Sequence, residues 1–323
     1  MKFFSVIWFA FLVMLLIIIG ACSSEDSRTE SSSSENSTDG ELKVALTTQP
    51  PTLDAHMSTA TMTTDIGRNI YETLVTLYSN FQPVPMLADS IDKSEDGKTY
   101  TFHLRENVNF HNGKVMVAED VVASMNRWLE KSPGGKLMEG AVFEEEDPST
   151  VLLKLESPIA DVLDILADRV QFPAIMPKEV IESAEIEGVT EYIGTGPFQF
   201  EEWEQDQHIH LVKFDDYTAD DSPSDGFSGK KEVFLDDVYF IFVPDHSTRI
   251  AGLSSGEYDI VSETPNEYYE EFMNNDNFNT YAYQYGSLFV VYNKKQGLSA
   301  NETFRKAINA AINSEDAMKA GYV

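Results

Sequence analysis

Between Lys98 and Trp128 the chain alternates and then changes period. Tyr100, Phe102 and Leu104 are apolar with Thr101, His103 and Arg105 interleaved, the period-two pattern of a half-buried strand. Asp96-Gly97 just ahead is a turn dipeptide that tolerates positive φ, so this strand is expected to be the second arm of a hairpin. Asn112-Gly113 predicts a second tight turn. From Ala118 the period becomes helical: Val121, Val122, Met125 and Trp128 or Leu129 fall on one face. Glu119 and Asp120 place negative charge where the first turn of that helix presents free N–H groups.

The same patterning extends along the chain. Leu42–Leu46 predicts a first strand, and Ile66, Ile70, Leu74 and Leu77 one face of a helix capped at Thr63 or Thr64. Val151–Leu155 reads as a strand, Ile159–Ala167 as a helix, and Phe172–Pro177 as a return segment. Phe198, Phe200 and Trp203 enter a hairpin that comes back through His208 to Phe214. Val238–Val243 is an apolar strand, Ser247–Ser255 a helix ending at Gly256, and Asn301–Ile312 another helix. Tyr281, Tyr283 and Tyr285 alternate on one strand, and Phe289, Val291 and Asn293 on the next. Interleaved strands and helices make the class α/β.

Composition changes the picture at the front of the chain. Lys2 precedes an apolar run from Phe3 to Ile19 that ends in Ile19-Gly20-Ala21-Cys22, which looks like the lipobox of bacterial lipoproteins. Residues 1–22 are then an export signal, with Cys22 as lipid-attachment site and membrane anchor; the alternative is an uncleaved transmembrane segment. Cys22 is the only cysteine, so no disulfide is expected. Residues 23–41 hold no large apolar side chain and predict a Ser/Glu-rich disordered tether. The roughly 280 residues that follow require two or more lobes. A formal charge of −31, from 54 acidic and 23 basic residues, excludes nucleic acid as a partner and excludes charge-driven adhesion to anionic lipid.

Candidate chemistry is sparse. The histidines at 56, 103, 111, 208, 210 and 246 form no H-E-x-x-H, although His208 and His210 share a strand face that either holds a metal or is simply an exposed hairpin. Asp220 to Gly229 is an acidic Ser/Pro/Gly loop that from Asp221 half-matches a calcium loop, with Asp225, Gly226 and Glu232 at suitable offsets, but Pro223 occupies a ligand position and Ser228 an apolar one. The G-x-S-x-G string at 252–256 falls at the end of the helix expected over 247–255 and so makes no strand-to-helix elbow, and there is no P-loop. The expectation is no metal, no cofactor and no catalytic residue.

The wording of the central run says more than its period. K-T-Y-T-F-H-L-R-E-N-V-N-F-H-N-G-K-V-M-V-A-E-D-V resembles the pattern W/Y-T-F-x-L-R-x-x-V-x-F-x-D/N-G-x-x-x-T-A-E-D-V of the family 5 extracytoplasmic solute-binding proteins of peptide and nickel ABC transporters. Val117 departs from it, standing where the family has a capping threonine. Further matches are T-L-D-A-H at 52–56 (Ala55 replacing a proline), F-Q-P-V-P-M-L-A at 81–88, G-T-G-P-F at 194–198, S-S-G-E-Y-D-I at 254–260, Asn293-Lys294-Lys295, and the helix of 301–312.

The resemblance implies a type II periplasmic-binding-protein-like fold: two lobes with an extra N-terminal subdomain and an incomplete last lobe. Lobe I would comprise 42–73 and 194–285, the inserted subdomain 74–193, and the start of a truncated lobe II 286–323. It implies a substrate-binding lipoprotein of an ABC importer that is not an enzyme, with a peptide ligand and membrane permease subunits as partners. The alternatives are the same fold binding nickel chelate or sugar, or a surface-anchored adhesin or signalling receptor. By the same resemblance Ser58, Thr59 and Thr61 are ligand contacts, unless 57–64 is a plain solvated loop. Leu137 in the glycine-containing loop 131–138, Tyr285 and Asn293 are further candidates, and the two last are otherwise core. Gly194, Thr195, Gly196 and Pro197 form a hinge or crossover. The family's ligand-selective residues, including the acidic group that meets a peptide's amino terminus, would lie beyond Val323, leaving the unfinished lobe's apolar face exposed.

Overall fold

The computed structural model describes residues 40–281 and 289–317. The predicted strand at 42–46 is β1 (Glu41–Leu46), which leads through a loop to helix α1 (Thr61–Ile70). Short strands β2 (Val75–Leu77) and β3 (Pro83–Pro85) pair, then β4 (Ala88–Lys93) and β5 (Thr99–Leu104) form the expected hairpin. Gly97 takes the turn at φ 68. Tyr100, Phe102 and Leu104 are buried, while the residues between them are only half-buried. The turn at Asn112-Gly113 follows, with Gly113 at φ 80, and helix α2 (Ala118–Lys131) begins where the charge pattern put it.

Strands β6 (Val142–Asp147) and β7 (Thr150–Lys154) complete a four-stranded antiparallel sheet in the order β4-β5-β7-β6. Its inner face meets α2. Phe102, Phe143, Val151 and Leu153 pack with the wholly buried Val121, Met125 and Trp128, with Val122 and Leu129 at the margin. At about 25 cal/mol per Å² of apolar surface removed from water, this cluster is the main stabilising element of its part of the molecule.

Helices α3 (Val162–Leu166) and α4 (Lys178–Glu182) lead to the hairpin β8 (Phe198–Glu204) and β9 (His208–Lys213). A bulge between Phe200 and Glu202 lets Trp203 join Phe198 and Phe200 on one face, an odd spacing that strict alternation would forbid. Strand β10 (Asp237–Phe242) pairs antiparallel with β9 and parallel with β1. Helix α5 (His246–Ser255) is capped by the Asp245 side chain accepting from Thr248 N and stops at Gly256, φ 77. The short β11 (Ile260–Val261) then closes a five-stranded sheet in the order β11-β1-β10-β9-β8. Its core joins Ile209, Leu211, Val238 and Phe240 to Ile66 and Ile70 of α1, and to Phe172, Met176 and Val189. Helices α6 (Tyr269–Met273) and α7 (Glu302–Ala311) follow.

Four local expectations are corrected. The strand expected through Phe289, Val291 and Asn293 is not formed, and Phe289 and Val291 stand 80% exposed. The helix predicted through Leu77 ends at Ile70, because the Ile70 carbonyl accepts from Gly196 N at 2.9 Å instead of from a further helical turn. Its N-cap is Ala60, not Thr63 or Thr64: Thr63 turns inward to donate to Thr52 O at 2.7 Å. The helix expected from Ile159 starts only at Val162, since Asp161 is held outside helical geometry at φ −113, ψ 33.

Candidate ligand-binding site

The loop after β1 is anchored by charge. Asp54, fully buried, accepts from Arg127 of α2 through both oxygens, at 3.0 and 2.5 Å. It also accepts the backbone N–H groups of His56 and Val189, both at 3.0 Å. Burial alone would raise its carboxyl, but the Arg127 hydrogen bonds, the field of His56 and the Val189 N–H hold it below the ordinary carboxylate value. His56 Nε2 lies 2.8 Å from Ala174 O and can only donate there, so Nδ1 accepts from Arg127 at 3.0 Å. Burial lowers His56 to about 4, outweighing the attraction of Asp54, and keeps it neutral. The T-L-D-A-H motif is thus a clamp that fixes the loop to α2 and to the segments at 174 and 189.

A second buried carboxylate sits where α1 ends. Glu72 accepts from Thr195 Oγ1 at 3.0 Å, Tyr217 Oη at 2.9 Å and Lys231 Nζ at 3.3 Å. Burial and the Glu72 charge push the Tyr217 phenol far above its ordinary value. Beside it the two strongest sequence motifs meet. His111 Nδ1 accepts from Gly194 N at 3.2 Å, which leaves Nε2–H to donate to Gly196 O at 3.0 Å. His111 N donates to Gly194 O as well. Burial lowers this imidazole to about 4. Both glycines lie against the end of α1: a Cβ on Gly194 would come within 2.1 Å of Ile70 O, and one on Gly196 within 2.5 Å of Asn69 O. Only glycine permits that approach.

Along α1 runs a groove of about 480 Å³. Thr61, Thr64, Arg68 and Asn69 of the helix form one wall, Arg169 and Val170 another, and Ser224, Gly226, Phe227 and Ser228 with Lys231 a third. Pro197 reaches it, so Thr61 and Pro197 come from separate motifs to one surface, with Gly194, Thr195 and Gly196 directly behind. Thr59 is exposed on the approach. Ser58 is buried and engaged internally, 2.9 Å from Thr63 Oγ1 and accepting from Ala60 N. Leu137 does not join them; it stands 68% exposed on a turn beside a separate cavity of about 570 Å³ lined by Asn126, Leu129, Glu130 and Lys136. Asn293 is exposed and accepts from Lys295 N. Tyr285 and Cys22 lie outside the described residues. His208 and His210 face Glu202 and Asp237, at 3.2 and 2.6 Å.

Sequence reasoning passed over Asp54, Arg127 and Glu72, and also Arg68, Arg169 and Lys231. The first three carried a usable signal: each is a charge set among residues that are otherwise apolar or small, in L-D-A, M-N-R-W and I-Y-E-T-L. Such a charge must find a partner inside.

The family model for bacterial extracellular solute-binding proteins, family 5 (middle), matches residues 82–323. The chain belongs to this family. The oligopeptide-binding protein AppA of Bacillus subtilis is 28% identical over 94% of the chain and 56% of its own length. The peptide-bound periplasmic binding protein DppA of Helicobacter pylori superposes with TM-score 0.71 at 27% identity, over 87% of this chain and 58% of that one. AgaA of A. tumefaciens R10, solved with agropinic acid, gives TM-score 0.63 at 30% identity over 73% and 46%. This family 5 chain therefore spans about half the length of the relatives it matches. No helix among its described residues is long and apolar enough to cross a membrane.

Proposed function

We propose that this family 5 protein captures peptides for an ABC importer, as a lipoprotein held on the extracytoplasmic face of the membrane through Cys22, and delivers them to the permease. The observation that carries the reading is convergence: Thr61 and Pro197 line one groove together with Thr76, Ser224 and Ser228, and with Thr64 and Thr73, whose hydroxyls donate to protein carbonyls. A peptide withdrawn from water must have every N–H and C=O satisfied again, and hydroxyls both donate and accept. The names of AppA and DppA support the same ligand class. Capture would proceed by closure, with contacts from a second lobe favouring the closed over the open state.

Native mass spectrometry of the protein purified without refolding tests the ligand: co-purified peptides of mixed sequence are expected. Recovery of a sugar conjugate or metal chelate alone would replace the peptide, a second reading favoured by the agropinic acid bound to AgaA. Mass analysis of the amino-terminal fragment tests the anchor, with acylated Cys22 as the expected first residue and an unmodified Cys22 inside an intact leader as the contrary result.

A further inference from the structure

The groove along α1 is lined by two arginines, Arg68 and Arg169, that form no ion pair with a carboxylate among the described residues. The Arg68 guanidinium is held between two rings, its carbon 4.8 Å from the centre of Phe172 and 4.5 Å from that of Phe227. Its Nη2 donates to the backbone carbonyls of Asp168 and Arg169, which fix its plane, and its Nε is buried without a partner among the described residues. Arg169 is exposed on the facing wall. Among the described residues neither forms an ion pair, although the chain carries 54 acidic side chains to 23 basic ones. Of the groove's two carboxylates, Glu72 is taken by Thr195, Tyr217 and Lys231, and Asp65 acts on both guanidinium groups through its field without a hydrogen bond to either. Burial and the charge of Arg169 lower Arg68 to about 10, outweighing the opposing charges of Asp168 and Asp65.

With Nη2 committed to two backbone carbonyls, Arg68 keeps Nη1 for a ligand, and the exposed Arg169 carries the fork that matches a carboxylate through two parallel hydrogen bonds. Over a surface of net charge −31 an anion gains nothing from the long-range field, so a cationic pair inside a groove acts only at contact. We propose that the α1 groove takes a carboxylate of the bound ligand, gripped by Arg68 and Arg169, so that the protein selects acidic ligands despite its own negative charge. This rests on the peptide-capture reading above. The carboxylate has two possible sources, a peptide's carboxyl terminus and an acidic side chain.

Titration calorimetry on protein purified without refolding separates them. The probes are one neutral peptide as free acid, the same peptide as its amide, and an amide carrying a glutamate. If the terminus is the source, the free acid binds about tenfold more tightly than the amide; if the side chain is, the glutamate-bearing amide does. In either case Arg169→Gln, a change at an exposed position, should reduce the preference to about twofold. Lys154→Gln on the four-stranded sheet alters net charge equally and should leave the preference intact. Equal binding of all three probes, or a preference that survives Arg169→Gln, overturns the inference and leaves peptide capture standing. No binding of any probe overturns both.

Discussion

The four-stranded sheet and the end of α1 hold the chain together by opposite means. Under the sheet, Phe102, Phe143, Met125 and Trp128 form an interior with almost no charge. At the end of α1 the buried groups are Asp54, Arg127, His56, Glu72 and His111, each satisfied by a specific partner. The first region tolerates any filling of the right volume, whereas the second tolerates only the groups that complete its hydrogen bonds. Apolar packing makes a stable body, and the polar seam dictates which loops meet at the groove.

Four substitutions or conditions sharpen or break this contrast. Arg127→Met should cost about 3–5 kcal/mol in urea unfolding because Asp54 is left buried and unpaired, as large as Phe102→Ala at about 3–5 kcal/mol. The two differ in rescue. Adding Asp54→Asn to Arg127→Met should recover part of the loss, while no second change recovers Phe102→Ala, and equal behaviour would erase the distinction.

Acid should act on the seam next. His56 and His111 are both lowered to about 4 in the folded protein. Neutral in the fold and protonated in the unfolded chain, each contributes stability that is complete above pH 6.5 and is lost as pH falls towards 4, by about 3 kcal/mol apiece. Asp54 adds its own loss at still lower pH, since its carboxyl is held below the ordinary value. Stability measured against pH should therefore fall in this window for the natural protein and fall less steeply for His111→Gln. A flat profile from pH 7 to 4 would show that the histidines carry no such load.

Gly194→Ala should cost about 1–3 kcal/mol, because its Cβ meets a carbonyl oxygen. Gly113→Ala sets a lower reference, with a strained φ but nothing near its Cβ. The smallest effect belongs to α2. Val117 leaves the N-cap without a side-chain acceptor, and that end is served by the Asp120 carboxylate, which accepts from Val117 N at 3.1 Å, and by Pro148 O, which accepts from Ala118 N at 2.9 Å. Val117→Thr should stabilise by about 1 kcal/mol.

The apolar region was legible because periodicity is a local property: β5, α2 and their turns fall where the alternation of 98–128 placed them. The bulge in β8 could be read too, from the spacing of Phe200 and Trp203. What escaped was the end of α1. Ile66, Ile70, Leu74 and Leu77 keep helical spacing, yet the helix stops at Ile70 because a glycine loop more than 120 positions later takes that carbonyl. No local pattern carries such a long-range competitor. The groove was half visible, since Thr61 and Pro197 stand in recognisable motifs. Arg68 and Arg169 do not, and nothing in their neighbours distinguishes them from solvated cations.

The region after Val261 adds a further contrast. Among its described residues only Phe272 is buried, whereas Phe289, Val291 and Leu298 are 74–80% exposed.

The Asp54 clamp has a bearing on how such a protein can be rearranged. Its acid comes from one side of residue 74, while the guanidinium, the carbonyl at 174 and the amide at 189 all come from the other. A shortened gene that splices 73 directly to 194 would strand a lone anion in the interior. The intervening stretch is thus no detachable cassette, and any graft that exchanges it between relatives must carry the matching arginine along.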